Sequence, residues 1–352
     1  MSIALSLAPA GRWLLDSGIQ EPSGGFARFY DAETGKNRTV STEISGYAAS
    51  ALVYLFRVTG DEAYLACARK TAHFLVQAWD EQLRTFPFEH PSQHSYFFDC
   101  GIIIRGLLAV WRETRDEQLL EISSAAAHAM IADFHSGQDY HPILALPEKD
   151  PLPRTGQWSR APGCYQLKAA MAWRDVAEIT GDSALTDAYL EMLDSALATH
   201  SSFLPGESCK HRVMDRLHAY SYFLEGLIPM LHGPECIKAY IEGIKAISML
   251  LREIESEFVR SDVYAQLLRA RMYGAAVLPV DTLAAAAESE TLAAFQAASH
   301  DPRVNGGFFF GRRAGTFSPH VNPVSTVFAL QALEMWRQQT AESKPPCLPI
   351  PI

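Results

Sequence analysis

The chain has 352 residues, 48% of them apolar, which is enough to bury a core in one large domain or two smaller ones. Its net charge of −10, with no cluster of Lys or Arg, argues against a nucleic-acid or phospholipid partner, because polyanion binders carry a basic patch. Six cysteines (Cys67, Cys100, Cys164, Cys209, Cys236, Cys347) lie far apart with no CxxC, so they read as reduced thiols.

From the start of the chain, Met1 to Ala10 is apolar but has no basic n-region, and Arg12 and Trp13 follow at once, which makes a poor signal peptide. No window reaches the roughly 18 uncharged apolar residues of a membrane helix. The expected location is the cytoplasm.

A repeat follows. Tyr54 to Leu65, Trp111 to Leu120 and Trp173 to Asp182 are three copies of one pattern, an apolar helix, a short turn and a second helix. Gly60 and Gly181 can take the left-handed conformation that stops the first helix. Asp61, Asp116 and Asp182 are suited to cap the second. A connection this short makes the two helices antiparallel neighbours. A fourth pair is expected over Leu217 to Leu231 and Glu235 to Glu257, and a fifth over about Asp262 to Leu278 and Asp281 to Ala298. The last helix, Pro323 to Gln338, has no partner after it, because Pro345 and Pro346 end the pattern. Its expected partner is Pro9 to Ser17, which would close six hairpins into a ring. The first helix of each pair is rich in small residues, such as Ser45, Gly46, Ala48 and Ala49, as crowded inner helices require. The expected fold class is therefore all-α, an (α/α)6 toroid spanning residues 1–340, with a Pro-rich tail at 341–352.

The remaining connections are long: about Asp80 to Phe98, Phe134 to Gly163, Ser201 to Asp215 and His300 to Asn322. They are rich in Pro, Gly, His, Arg and aromatics, and long loops in a compact domain are usually functional. Gly24-Gly25-Phe26 leads into the first inner helix, and Gly306-Gly307-Phe308 leads into the last at nearly the same distance. With these lead-ins the hairpin repeat resembles the six-hairpin glycosidase-like superfamily of α/α toroids. That resemblance implies a carbohydrate-active enzyme, since the superfamily holds glycoside hydrolases, unsaturated-uronyl hydrolases and sugar epimerases. The lead-ins also look like those of terpenoid cyclases and protein prenyltransferases, but no Asp-x-Asp-Asp motif and no recognisable Asp, Cys and His set is present.

Candidate chemistry sits where inner helices begin. Glu43 follows Ser41-Thr42, with Tyr47 one turn on. Asp99 lies between Tyr96-Phe97-Phe98 and a nearly uncharged helix; it reads either as an N-cap or as a partly desolvated general acid. His211, Asp215 and His218 fall at i, i+4 and i+7, one stripe of a helix. Asp215 is read as opening the fourth inner helix as Asp99 opens the second. A metal site there is not expected, because no spacing matches a zinc signature, and no cofactor is implied. Glycoside hydrolysis would pair Asp99 with Glu43 or Asp215. The resemblance to epimerases, which employ paired histidines, points instead to His218 and His320. Trp158, Tyr165 and Tyr47 could stack on sugar rings, and Arg160, Lys168, Arg313 and His320 could bind an anionic group such as a uronic acid. The loop histidines His90, His94, His135 and His141 read as structural. The expected partner is an oligosaccharide or sugar, and a non-catalytic toroid that binds a glycan or a protein is the remaining reading.

Overall fold

The computed structural model describes residues 4–89, 92–137, 139–204, 210–341 and 352. Its helices are α1 (Ala4–Asp16), α2 (Thr42–Thr59), α3 (Glu62–Ala78), α4 (Phe97–Thr114), α5 (Glu117–Phe134), α6 (Leu167–Thr180), α7 (Ser183–Thr199), α8 (Lys210–Leu227), α9 (Pro234–Ile254), α10 (Ser261–Gly274), α11 (Thr282–Ala293) and α12 (Pro323–Ala341). The long connections contain short strands: β1 (Phe26–Ala27), β2 (Tyr30–Asp31), β3 (Lys36–Asn37), β4 (Val40–Ser41), β5 (His94–Tyr96), β6 (Ile143–Ala145), β7 (Asp150–Pro151), β8 (Phe258–Arg260), β9 (Gly311–Arg313), β10 (Thr316–Phe317) and β11 (His320–Val321). The sequence offers no reason to expect a strand in any of these segments. Pairings two or three residues long leave no period in a sequence, so the strands had no signal.

The chain forms two compact units. The first comprises Gln20–Ala27 and Thr39–Ser201. In it α2 packs on α3, α4 on α5 and α6 on α7, while α4 lies between α2 and α6. The turns are built as their residues require. Gly60 (φ 72°) and Gly181 (φ 76°) stop α2 and α6 in the left-handed region, and Arg115 (φ 56°) takes that place after α4. Asp61, Asp116 and Asp182 accept hydrogen bonds from the N–H groups of Ala63, Gln118 and Ala184. Small residues let the buried helices approach closely. A Cβ added to Gly101 of α4 would lie 2.7 Å from the Cα of Ala169 on α6, and one added to Gly106 would lie 2.9 Å from the Cα of Gly46 on α2. Strand β1 pairs with β4, and β6 lies between β5 and β7, all antiparallel.

The second unit comprises Met1–Ile19, Arg28–Arg38 and Ser202–Ile352. Here α8 packs on α9, α10 on α11, and α12 on α1. Thirteen of the 14 residues of α10 are buried, against eight of the 21 in α9, so α10 is enclosed and α9 flanks it with one face. The expected partner of the last helix is thus the right one. Its packing also repeats that of α2 on α3 in detail. Gly24 (φ 97°) lies against the backbone of Lys70 in α3, and Gly306 (φ 91°) lies against that of Pro9 in α1. The N–H of Phe26 donates to Ser45 Oγ, and the N–H of Phe308 donates to Thr326 Oγ1, both at 2.9 Å. The carboxamide of Gln20 donates to the Gly24 carbonyl, and that of Gln296 to the Gly306 carbonyl. In this unit β2 lies between β11 and β3, and β9 between β10 and β8.

Below the first turns of α8, α10 and α12, a buried charge tie joins the three helices. Arg269 of α10 is ion-paired with Glu225 of α8, donates to Gln331 Oε1 of α12 at 2.9 Å, and lies 4.0 Å from the ring centre of Phe328. Glu225, an acid within the apolar run Phe223-Leu224-Glu225-Gly226-Leu227, serves this network. The first unit has an analogous buried pair, Arg105 of α4 with Asp175 of α6, at 2.9 Å.

Candidate functional site

In the second unit the start of α10 carries a connected set of buried ionisable groups. Arg260, the last residue of β8, grips Asp262 with two parallel hydrogen bonds, Nε to Oδ1 at 3.0 Å and Nη2 to Oδ2 at 2.6 Å. Its Nη1 donates to Asp215 Oδ1 on α8 at 2.7 Å, and the Phe310 ring covers the guanidinium at 4.6 Å. Loop backbone fixes this corner, since Ser261 donates through both N–H and Oγ to the Phe310 carbonyl. Burial would raise the Asp262 carboxyl, but Arg260 outweighs it and holds its pKa below the ordinary value.

His218 stands one turn after Asp215 on α8. Its Nδ1 lies 2.8 Å from Gln266 Oε1 and 3.5 Å from Asp262 Oδ2. Gln266 Nε2 turns toward the His218 carbonyl, which leaves its oxygen facing the ring. Both neighbours of Nδ1 are acceptors, so Nδ1 carries the proton and Nε2 carries the lone pair. Burial, and then repulsion by Arg260, lowers the His218 pKa to about 4, so the ring is neutral at pH 7. The Tyr222 ring meets it edge-on at 4.6 Å.

The expected opening of α8 at Asp215 is corrected. The helix begins at Lys210, which puts Asp215 in the second turn with its side chain about half exposed. The early start does place Asp215 and His218 on one stripe. The buried acid at a helix start in this unit is Asp262, a residue the sequence reading passed over. Ser261-Asp262 before an apolar run is the same signal as Thr42-Glu43 and Phe98-Asp99. Arg260 was also missed, because its partners lie two and 45 residues away. His320 is half-buried against Phe29, 4.1 Å between ring centres, and Arg313 is exposed on β9. The side chain of His211, with Cys209, Cys347 and His90, lies outside the described residues.

In the first unit Asp99 is buried, 4% exposed, in the first turn of α4. It does not cap the helix: that position belongs to Tyr96, which caps with no side-chain bond. Burial, then Cys164 and Asp99, raise the pKa of Tyr165, so the Asp99 charge is felt at Tyr165. Tyr165 itself is buried, donates to the Ala161 carbonyl, and meets Trp158 edge-on at 5.1 Å. Lys168 is fully buried in the first turn of α6, with Nζ 5.6 Å from the ring centre of Tyr47 on α2. Glu43 is half-buried in the first turn of α2, which Ser41 caps. Arg160 is exposed. His135 lies 3.7 Å from Glu191 and meets Tyr140 edge-on, His94 of β5 pairs with Ala145 of β6, and the His141 N–H donates to the Phe134 carbonyl. Among the described residues no group of three or more His, Cys, Asp or Glu is placed to hold a metal ion. No helix among them is long and apolar enough to cross a membrane.

No protein-family profile matches this sequence, and no curated protein does. Solved structures do. Cellobiose 2-epimerase from Spirochaeta thermophila superposes with a TM-score of 0.75 at 15% identity, covering 97% of this chain and 96% of that one. D-mannose isomerase gives 0.70 at 11% identity, covering 96% and 97%. Unsaturated glucuronyl hydrolase from Bacillus sp. GL1 gives 0.65 at 15% identity, covering 94% and 96%. These likenesses show the fold, an α/α toroid, all-α as the hairpin repeat implied.

Proposed function

We propose that this protein is a carbohydrate-active enzyme, a sugar epimerase or isomerase that moves a proton at the carbon beside an aldose carbonyl. The observation that carries this reading is His218: buried, neutral, its Nδ1–H held by Gln266 and Asp262, and its basic nitrogen therefore Nε2. General-base catalysis needs such a fixed tautomer. Nε2 takes the proton from C2 of the open-chain sugar, and the C–H electron pair moves into an enediolate whose oxygen was the carbonyl. Return of a proton to the other face of C2 gives the epimer; return to C1, with the O2 proton passing to O1, gives the ketose. His320 is the candidate donor for the second face. The structures named above as cellobiose 2-epimerase and D-mannose isomerase share this fold and agree with the reading. Within the second unit the alternative, paired carboxylates, is less suited, because Asp215 and Asp262 are both tied to Arg260.

The second reading is glycoside hydrolysis with Asp99 as general acid and Glu43 as its partner, favoured by the burial of Asp99. Tyr47, Trp158, Arg160, Tyr165 and Lys168 are the candidate substrate-binding residues of this second reading, and Arg313 with His320 those of the first.

One experiment separates the two. The protein is incubated in D2O with D-glucose, D-mannose and cellobiose, and with glucuronyl oligosaccharides. Epimerisation puts deuterium on C2 of an intact sugar and isomerisation puts it on C1, both seen by proton NMR, and His218→Gln abolishes them. Cleavage without carbon-bound deuterium would overturn the first reading in favour of the second.

A further inference from the structure

Two carboxylates and a histidine meet at one corner, Asp262 and His218 buried and Asp215 about half exposed, and they have a choice of partners. Asp262 Oδ2 lies 3.5 Å from His218 Nδ1 and 2.6 Å from Arg260 Nη2. Among the described residues Asp262 has Arg260 and His218 as its cationic neighbours, so without Arg260 a buried acid–imidazolium pair would be the stable state. That state has no base, because both ring nitrogens hold protons. Arg260 offers the acid a two-pronged, permanently charged partner instead. Its third contact, to Asp215, and the Phe310 ring over its face hold the guanidinium in that geometry.

We propose that Arg260 is a positioning residue: by holding the Asp262 carboxylate in a bidentate grip, it keeps His218 the uncharged base of the site. The catalytic consequence rests on the reaction proposed above; the electrostatic claim does not. The groups facing His218 are Asp262 and Gln266 on α10, Arg260 at the end of β8, and Asp215 and Tyr222 on its own helix. Burial and Arg260 disfavour the imidazolium, while Asp262 and Asp215 favour it. Removing one member at a time therefore moves the balance in opposite directions.

The test is a titration of the full-length protein carrying 15N-labelled histidine, followed by NMR, with the His218 signal assigned by its loss in His218→Gln. In the parent protein the ring stays neutral and Nδ1-protonated down to a midpoint of about 4. In Arg260→Gln the midpoint rises by about 1–3 units, the usual effect of one adjacent unscreened charge. Arg260→Lys, which keeps the charge but loses the two-pronged geometry, falls between. Asp262→Asn moves the other way, to a midpoint below the parent's, and remains informative if Arg260→Gln does not fold. The low-pH limb of the deuterium-exchange profile shifts upward with the midpoint in Arg260→Gln, which a scaffold residue would not cause. A folded Arg260→Gln with an unmoved midpoint, or an Asp262→Asn whose midpoint rises, would overturn the assignment. A protein that shows both shifts but exchanges deuterium with no aldose refutes the reaction and upholds the role of Arg260.

Discussion

A close helix approach in the first unit, α4 on α6, can be tested with one methyl group. In Gly101→Ala the new Cβ would lie 2.7 Å from both the Cα and the Cβ of Ala169, and nearer still to the Ala169 carbonyl oxygen. Carbon atoms rest at about 3.5–4.0 Å, so α4 and α6 must separate locally by roughly 1 Å. The obstruction is backbone and a bare methyl, neither of which can rotate away. Overpacking of this kind costs about 1–3 kcal/mol, and alanine returns about 1 kcal/mol through its better helix propensity. With an unyielding contact the upper end applies, for a net loss of about 1–2 kcal/mol. The assay is urea denaturation followed by circular dichroism, where the midpoint falls at an unchanged slope. Gly156→Ala, with nothing within 4 Å of its added Cβ, is the control and leaves the midpoint in place. A Gly101→Ala protein as stable as the parent would show that α4 and α6 are not held at this distance.

Three further outcomes are expected. Because the His218 pKa is depressed from 6.5 to about 4, the unfolded chain binds this proton first; the stability it confers is complete above pH 6.5 and lost as pH falls toward 4. That amounts to about 3 kcal/mol, so parent and His218→Gln should show different pH slopes in urea titrations between 6.5 and 4; parallel slopes would refute it. Arg269→Met strands Glu225 without its partner and should cost about 3–5 kcal/mol, whereas Arg269→Met with Glu225→Leu should recover much of it in a double-mutant cycle. Asp99→Asn should leave stability within about 1 kcal/mol, because Tyr96 and not Asp99 sits at the cap position. If Asp99 is the acid of a hydrolysis, turnover falls about a hundredfold; unchanged turnover removes it.

What the sequence made legible was local. A glycine that ends a helix and an aspartate that starts the next lie within two residues of each other, so Gly60-Asp61 and Gly181-Asp182 announce their turns. The Gly-Gly-Phe lead-ins work the same way, each fixed by a serine or threonine in the helix it precedes. The site was only half legible. His218 and Asp215 share a helix stripe and could be paired by counting. Arg260 could not, because it bridges residues on two elements through a loop that carries no period, and the charged Lys210-His211-Arg212 run hid the true start of α8.

The tie among Glu225, Arg269 and Gln331 lies seven residues past His218 and Asp262 on α8 and α10, about 10 Å deeper along helices that rise 1.5 Å per residue. Both levels pair α8 with α10 in the same order, so the two helices run parallel. Alignment is therefore enforced at one depth and reactivity is set at another. Substitutions at the level of His218 leave the deeper clasp, and with it the pairing of the two helices, intact. A scaffold divided in this way can exchange one set of reactive side chains for another while its helices stay in register.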